Sequence, residues 1–156
     1  MNDFRSFKPV ALQLQTMALN LIPYKGARSV YLAPNIQVVP DYKAMPFLVI
    51  AFKSSQPREQ TGEESEVTHY WEFGQYHNIR SVEMAGVGIG GSPGFFDCFQ
   101  ELENLYNRST IGGLVDFAWF EYHGGYEPVK MLGSQNTEQT MFRAVSRLRC
   151  EGFNEG

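Results

Sequence analysis

Hydrophobic positions along the chain fall into two helical stripes and several strand-like runs. Behind Pro9, whose fixed φ suits a first helical turn, Val10, Leu14, Met17, Ala18 and Leu21 recur on a 3.6-residue period. They predict an amphipathic helix over 9–22, ended by Pro23 and the turn residue Gly26. A second stripe, Phe95, Phe99, Leu102 and Tyr106, predicts a helix over 93–108, with Ser92-Pro93 as its cap and first turn and Asp97 complementing its dipole. Arg108 suits the last turn, and Gly112-Gly113 close it. Between the two helices, Phe47 to Phe52 is an unbroken apolar run introduced by Pro46, the pattern of a strand covered on both faces. Thr68 to Tyr76 alternates, with His69, Trp71 and Phe73 on one side and Tyr70 and Glu72 on the other.

The remaining segments read less simply. Val30 to Tyr42, with prolines at 34 and 40 around Ile36, Val38 and Val39, predicts a short strand or an extended arm. Ser54 to Glu66 holds Pro57, Gly62 and four acids and offers no core face, so a solvated loop is expected over 54–67. Ser81 to Ile89 continues with strand character and puts Gly86, Gly88 and Gly90 on one face beside Val82 and Met84. Leu114 to Tyr122 alternates around Asp116, His123-Gly124-Gly125 reads as a turn, and 127–135 as irregular. The segment 137–150 fits both periods; strand is favoured, with Arg143, Arg147 and Arg149 on one of its faces. Together the elements predict a single α/β (α+β) domain: a mixed or antiparallel sheet of about 4–6 strands flanked by two amphipathic helices.

Size agrees with one core. At 156 residues the chain removes roughly 70% of its unfolded surface from water, enough to fold without disulfides or metal. The longest apolar stretch, Ala44 to Phe52, is far short of the ~20 residues that cross a bilayer, and the polar breaks near the N-terminus do not predict a signal peptide. Cys98 and Cys150 form no framework or CxxC pair. Thirteen basic and seventeen acidic side chains leave a net charge of −4, the wrong sign for a surface that grips nucleic acid. Twelve Phe, eight Tyr and two Trp are a heavy aromatic load for so small a domain and point to a protein interface.

Candidate chemistry is thin. Gly86-Val87-Gly88-Ile89-Gly90-Gly91 satisfies GxGxxG, but strand alternation runs into the motif and Pro93 delays the helix, so close backbone packing is favoured over a dinucleotide site. No GxxxxGK[ST] or GxSxG occurs. His69, His77 and His123 lack ligand spacing, so no metal is expected, and both cysteines read as small hydrophobes. Asp116 and Glu121 are a weak carboxylate pair, and neither a catalytic residue nor a cofactor is expected. The charge pattern offers interface candidates instead: Arg58, Glu59, Glu63, Glu64 and Glu66 in the 54–67 segment, and Arg143, Arg147 and Arg149, with Arg80, as a basic strip. The strip could hold phosphate, or Glu63, Glu64 and Glu66 of one copy could meet the arginines of the next in a head-to-tail contact; a solvated strand face is the plain alternative.

The order of elements resembles the tail terminator (tail-completion) proteins of long-tailed bacteriophages. It is carried by the N-terminal helix, the strand Met45-Pro46-Phe47-Leu48-Val49-Ile50, the long polar segment, Arg80-Ser81-Val82-Glu83-Met84-Ala85-Gly86-Val87, the second helix, Ile111-Gly112-Gly113-Leu114-Val115-Asp116 and an Arg-rich final strand. The resemblance covers nearly the whole chain. It implies a virion structural protein that is not an enzyme: a homohexameric ring, made in the host cytoplasm, on the head-proximal end of the tail tube. Such a ring stops tube growth and joins tail to neck or head. The implied partners are further copies of the chain, the tail tube protein, a neck or connector protein and, through the long segment 126–135, a sheath. DNA enters only as passage through the lumen, and no membrane is involved. Another neck subunit, or a small nucleotide-binding enzyme using the 86–91 glycine run, are the alternative readings.

Overall fold

The computed structural model describes residues 7–21, 29–37, 46–61, 64–77, 86–88, 94–132 and 138–155. Helix α1 (Phe7–Ala18) buries Val10, Leu14 and Ala18. It ends before the expected Ile22, because the amides of Asn20 and Leu21 bond three residues back, to Met17 and Ala18, and tighten the chain out of the helix. Pro9 sits in its first turn, where amides lack intrahelical acceptors in any case. Strand β1 (Val30–Ala33) then runs parallel to β2 (Phe47–Thr61), Val30 opposite Leu48 and Ala33 opposite Ala51. Helix α2 (Phe95–Tyr106) buries Phe95, Cys98, Leu102 and Tyr106; it is shorter than the expected 93–108. Gly94 caps it, its amide bonding Asp97 at 3.2 Å, while Arg108 lies beyond the helix with φ 64°.

Between the two helices, two expectations fail against this architecture. The segment 54–67 is no loop: β2 continues to Thr61, and β3 (Glu64–His77) returns antiparallel beside it from Glu64. The residues there carry no hydropathy alternation, so their polar composition predicts a loop. The expected strand over 81–89 fails where it is described: Gly86 and Val87 have helical backbone and Gly88 has φ 89°. Residues 81–85 and 89–91 lie outside the described residues, as do Ser92 and Pro93. The close backbone approach seen here is required of a different glycine: a Cβ at Gly94 would stand 2.3 Å from the Gly86 carbonyl oxygen, whereas one at Gly86 would meet the side chains of Phe96 and Tyr126 at 2.8 Å.

Strand β4 (Phe117–His123) follows a turn through Ile111, Gly112 and Gly113, all at positive φ. The expected irregular segment after it contains β5 (Glu127–Leu132), and the ambiguous terminal segment is strand β6 (Glu138–Glu155). The mixed six-stranded sheet has the order β1-β2-β3-β6-β4, with β5 also on β6. β4 pairs with 146–151 and β5 with 138–143, so the two share one edge of β6, bridged by the Gly124 amide on the Val145 carbonyl.

Both helices lie on one face. There Leu14, Leu48, Ile50, Trp71, Phe73, Leu102, Tyr106 and Leu148 form the main core, and the Tyr106 hydroxyl donates to the Leu14 carbonyl at 2.6 Å, tying α2 to α1. On the opposite face Phe47, Val49, Tyr76 and Met141 make a smaller cluster, Phe47 and Tyr76 stacked at 4.6 Å. The segment after β1 crosses this face where Gly74 leaves room for Ile36, and the Tyr76 hydroxyl bonds the Ile36 carbonyl. Covered faces on both sides explain the unbroken apolar run of β2.

Candidate functional site

The sheet outruns its cover. Ladder partners for β2 from β1 end at Ala51, and β4 begins on β6 at Glu151, yet β2, β3 and β6 stay paired out to Thr61, Glu64 and Glu155. Their ends therefore form a three-stranded arm beyond Val67, the last residue of β3's descending run in the core. From Phe52 to Thr61 the outer edge of β2 pairs with no strand among the described residues, and the same holds for residues 152–155 of β6. Such edges are templates for another chain. Bulges at Phe52/Ser54 and Pro57/Glu59 and the proline itself limit uncontrolled pairing.

The arm carries the acidic candidates. Register sets Glu59 opposite Glu66 and Glu64 opposite Glu155, with Arg58 in the second bulge. Glu63 lies outside the described residues.

The arginines lie on the helix-free face of β6, as their alternation predicts, and they already hold acids within the chain. Arg147 Nε is 3.3 Å from Glu121, Arg149 reaches Glu121 at 3.7 Å and bonds Glu151, and Arg143 Nη2 is 3.2 Å from Glu127. The Arg147 guanidinium sits 4.3 Å from the Tyr70 ring centroid and that of Arg149 5.0 Å from Trp119. Arg147 and Arg149 are thus built into a Tyr70-Trp119-Glu121-Glu151 lattice across three strands. Arg80 lies outside the described residues.

Arg143 differs. It lines a pocket of about 390 Å³ on the same face, whose wall also includes Ile36, Gln37, Lys53, Glu72 and Val145. Its acid, Glu127, is 63% exposed, and its buried Nε–H, like those of Arg147 and Arg149, has no hydrogen-bond partner among the described residues. The pocket depends on tertiary contacts, because residues 34–37, β2, β3 and β6 each supply a wall. No sequence spacing links Lys53 to Arg143.

Among the described residues, a constellation that looks like catalytic machinery was also hidden from sequence. His123 Nδ1 is 2.7 Å from Ser146 Oγ, and its Nε2 is 3.3 Å from Glu103. Ser146 is 0% exposed beneath α2, however, and Phe99 stacks on the imidazole at 4.8 Å, so no substrate reaches the hydroxyl. Burial lowers the His123 pKa and the Glu103 carboxylate opposes that shift, as in a structural polar link between α2, β4 and β6. His77 Nε2 lies 3.9 Å from Cys98 Sγ with both side chains buried. Burial alone lowers His69 and His77 to about 4. Among the described residues no group of three or more His, Cys, Asp or Glu side chains could hold a metal ion, and no helix is long and apolar enough to cross a membrane.

Compared with known protein families and with curated proteins, the chain matches none.

Proposed function

We propose that this protein is a ring-forming virion structural protein of the tail terminator type. As a homohexamer it caps the head-proximal end of a bacteriophage tail tube, stops its polymerisation and joins the tail to the neck. The arm carries this reading: three paired strands project past the helix-covered body with open outer edges, an arrangement that a partner chain completes. Element order supports it, as do the exposed aromatics Phe7, Phe52, Phe96, Phe117 and Tyr122, which are available to protein partners. The net charge of −4 suits a lumen through which DNA slides without being held.

Electron microscopy of the purified protein tests the reading together with a tube-elongation assay. Rings with a central hole, and tubes that stop growing when the protein is added to polymerising tail tube protein, are the expected results. A protein that stays monomeric and leaves tube growth unchanged overturns the proposal. Rings that bind the connector but not the tube identify a different neck subunit.

A further inference from the structure

The helix-free face of the sheet holds a pocket of about 390 Å³, within the size range of cavities that take small molecules. Ile36, Lys53 of β2, Glu72 of β3, and Arg143 and Val145 of β6 line it. Strand register explains the convergence. Glu72, Gly74 and Tyr76 alternate with core-facing Phe73 onto this face, and Val145 and Arg143 stand opposite Gly74 and Tyr76. Ile36 packs where Gly74 has no side chain, so an apolar floor of Ile36 and Val145 lies between Glu72 and Arg143.

The three charges of the pocket remain available to a ligand. Lys53 is exposed and Glu72 half-buried, and neither makes an ion pair or hydrogen bond with another side chain among the described residues. Arg147, which register sets opposite Glu72, pairs with Glu121 at 3.3 Å instead. Arg143 Nη2 donates to Glu127 at 3.2 Å, but a guanidinium carries five N–H donors and that carboxylate is 63% exposed, so a further acceptor binds without displacing the first. Two cations and one carboxylate around an apolar floor complement a ligand with two anionic groups and one ammonium on a short aliphatic chain. Phosphate or a plain dicarboxylate meets the cations but sets negative charge beside Glu72, which disfavours it.

We propose that the Lys53–Glu72–Arg143 pocket binds a small amino dicarboxylate, the chemistry of a free acidic amino acid. One carboxylate lies on the Arg143 guanidinium and the other on the Lys53 ammonium, the ligand's ammonium faces Glu72, and its methylenes cover Ile36 and Val145. Every group that takes part belongs to one chain, so the site does not depend on the ring reading proposed above.

Calorimetric titration tests it. The probes are aspartate, glutamate and 2-aminoadipate, which differ in the spacing of their carboxylates, beside glutarate, which lacks the ammonium, and inorganic phosphate. At least one of the three amino dicarboxylates is expected to bind saturably, one per chain, and about tenfold more tightly than glutarate or phosphate. Lys53→Ala is expected to weaken that binding about tenfold, and Glu72→Gln to abolish the advantage over glutarate. Both variants sit outside the core, and thermal melting without ligand verifies that they fold. No saturable binding of any amino dicarboxylate overturns the proposal. Phosphate bound as tightly as the best of them also overturns it, because the pocket is then a general anion site. Binding that Lys53→Ala and Glu72→Gln both leave unchanged places the ligand elsewhere and overturns it too.

Discussion

For single residues, buried groups set how this protein responds to its surroundings. His69 packs against Phe7 at 4.8 Å and beside Phe52 and Trp71, and His77 against Phe95 at 4.5 Å. Both are held neutral, with pKa values lowered to about 4 by burial. The unfolded chain takes up these protons near 6.5, so between about pH 6.5 and 4 it binds more protons than the folded chain, and stability rises with pH across that window. Acidification from 6.5 to 4 should remove on the order of 3 kcal/mol for each histidine. Urea midpoints at several pH values check this; a midpoint that does not fall on acidification contradicts it. Gly94 is the other sensitive position. With φ −92° an alanine meets no backbone strain, but its Cβ would stand 2.3 Å from the Gly86 oxygen and 2.5 Å from the Gly88 nitrogen. Gly94→Ala should therefore destabilise by about 3 kcal/mol through forced separation of the two backbones, read as a lower midpoint at unchanged slope. The glycine-rich composition of this region is visible in the sequence. Which glycine needs to be one is not, because the partner backbone comes from the turn before the helix.

Among the elements, the body and the arm are separable. Val67 is buried in the core, and beyond it, among the described residues, β2, β3 and β6 pair only with one another. Replacing residues 58–66 with Asn-Gly, which joins the facing residues Pro57 and Val67 by a two-residue hairpin turn, removes the arm's acids and leaves both helices and the core untouched. The shortened protein should melt within a few degrees of the wild type, and it should lose self-association altogether; thermal melting and sedimentation measure the two effects. Association that survives would show that the arm is not the connecting element. The helices and the strands with one core face are legible in the amino-acid sequence, because each carries a repeated burial pattern: Val10, Leu14 and Ala18 on α1, and His69, Trp71 and Phe73 on β3. The arm and β5 are not. Their residues carry no hydropathy alternation, and without it a strand and a loop have the same composition.

In the molecule as a whole, both described helices cover one face of the sheet, and the other face carries the arginines of β6. The Arg147–Arg149 lattice with Tyr70 and Trp119 stiffens one end of that face, while Ile36 and the Lys53–Arg143 pocket shape the other. Residues brought together there are distant in the chain, and a single sequence holds no record of their separation in space. Local periodicity was enough to specify the domain class, the two helices, the inward faces of β2 and β3 and the alternation that gathers Arg143, Arg147 and Arg149. Each of these can be read along the chain because a hydrophobic period reports burial directly. Folding in three dimensions was needed to establish which strands pair, where the sheet outruns its helices, that Arg143, Arg147 and Arg149 already hold acids within the chain, and that the Ser146–His123–Glu103 cluster is sealed. Those outcomes depend on backbone hydrogen bonds, which every residue except proline can donate alike, and on side-chain contacts between segments whose proximity exists only after folding.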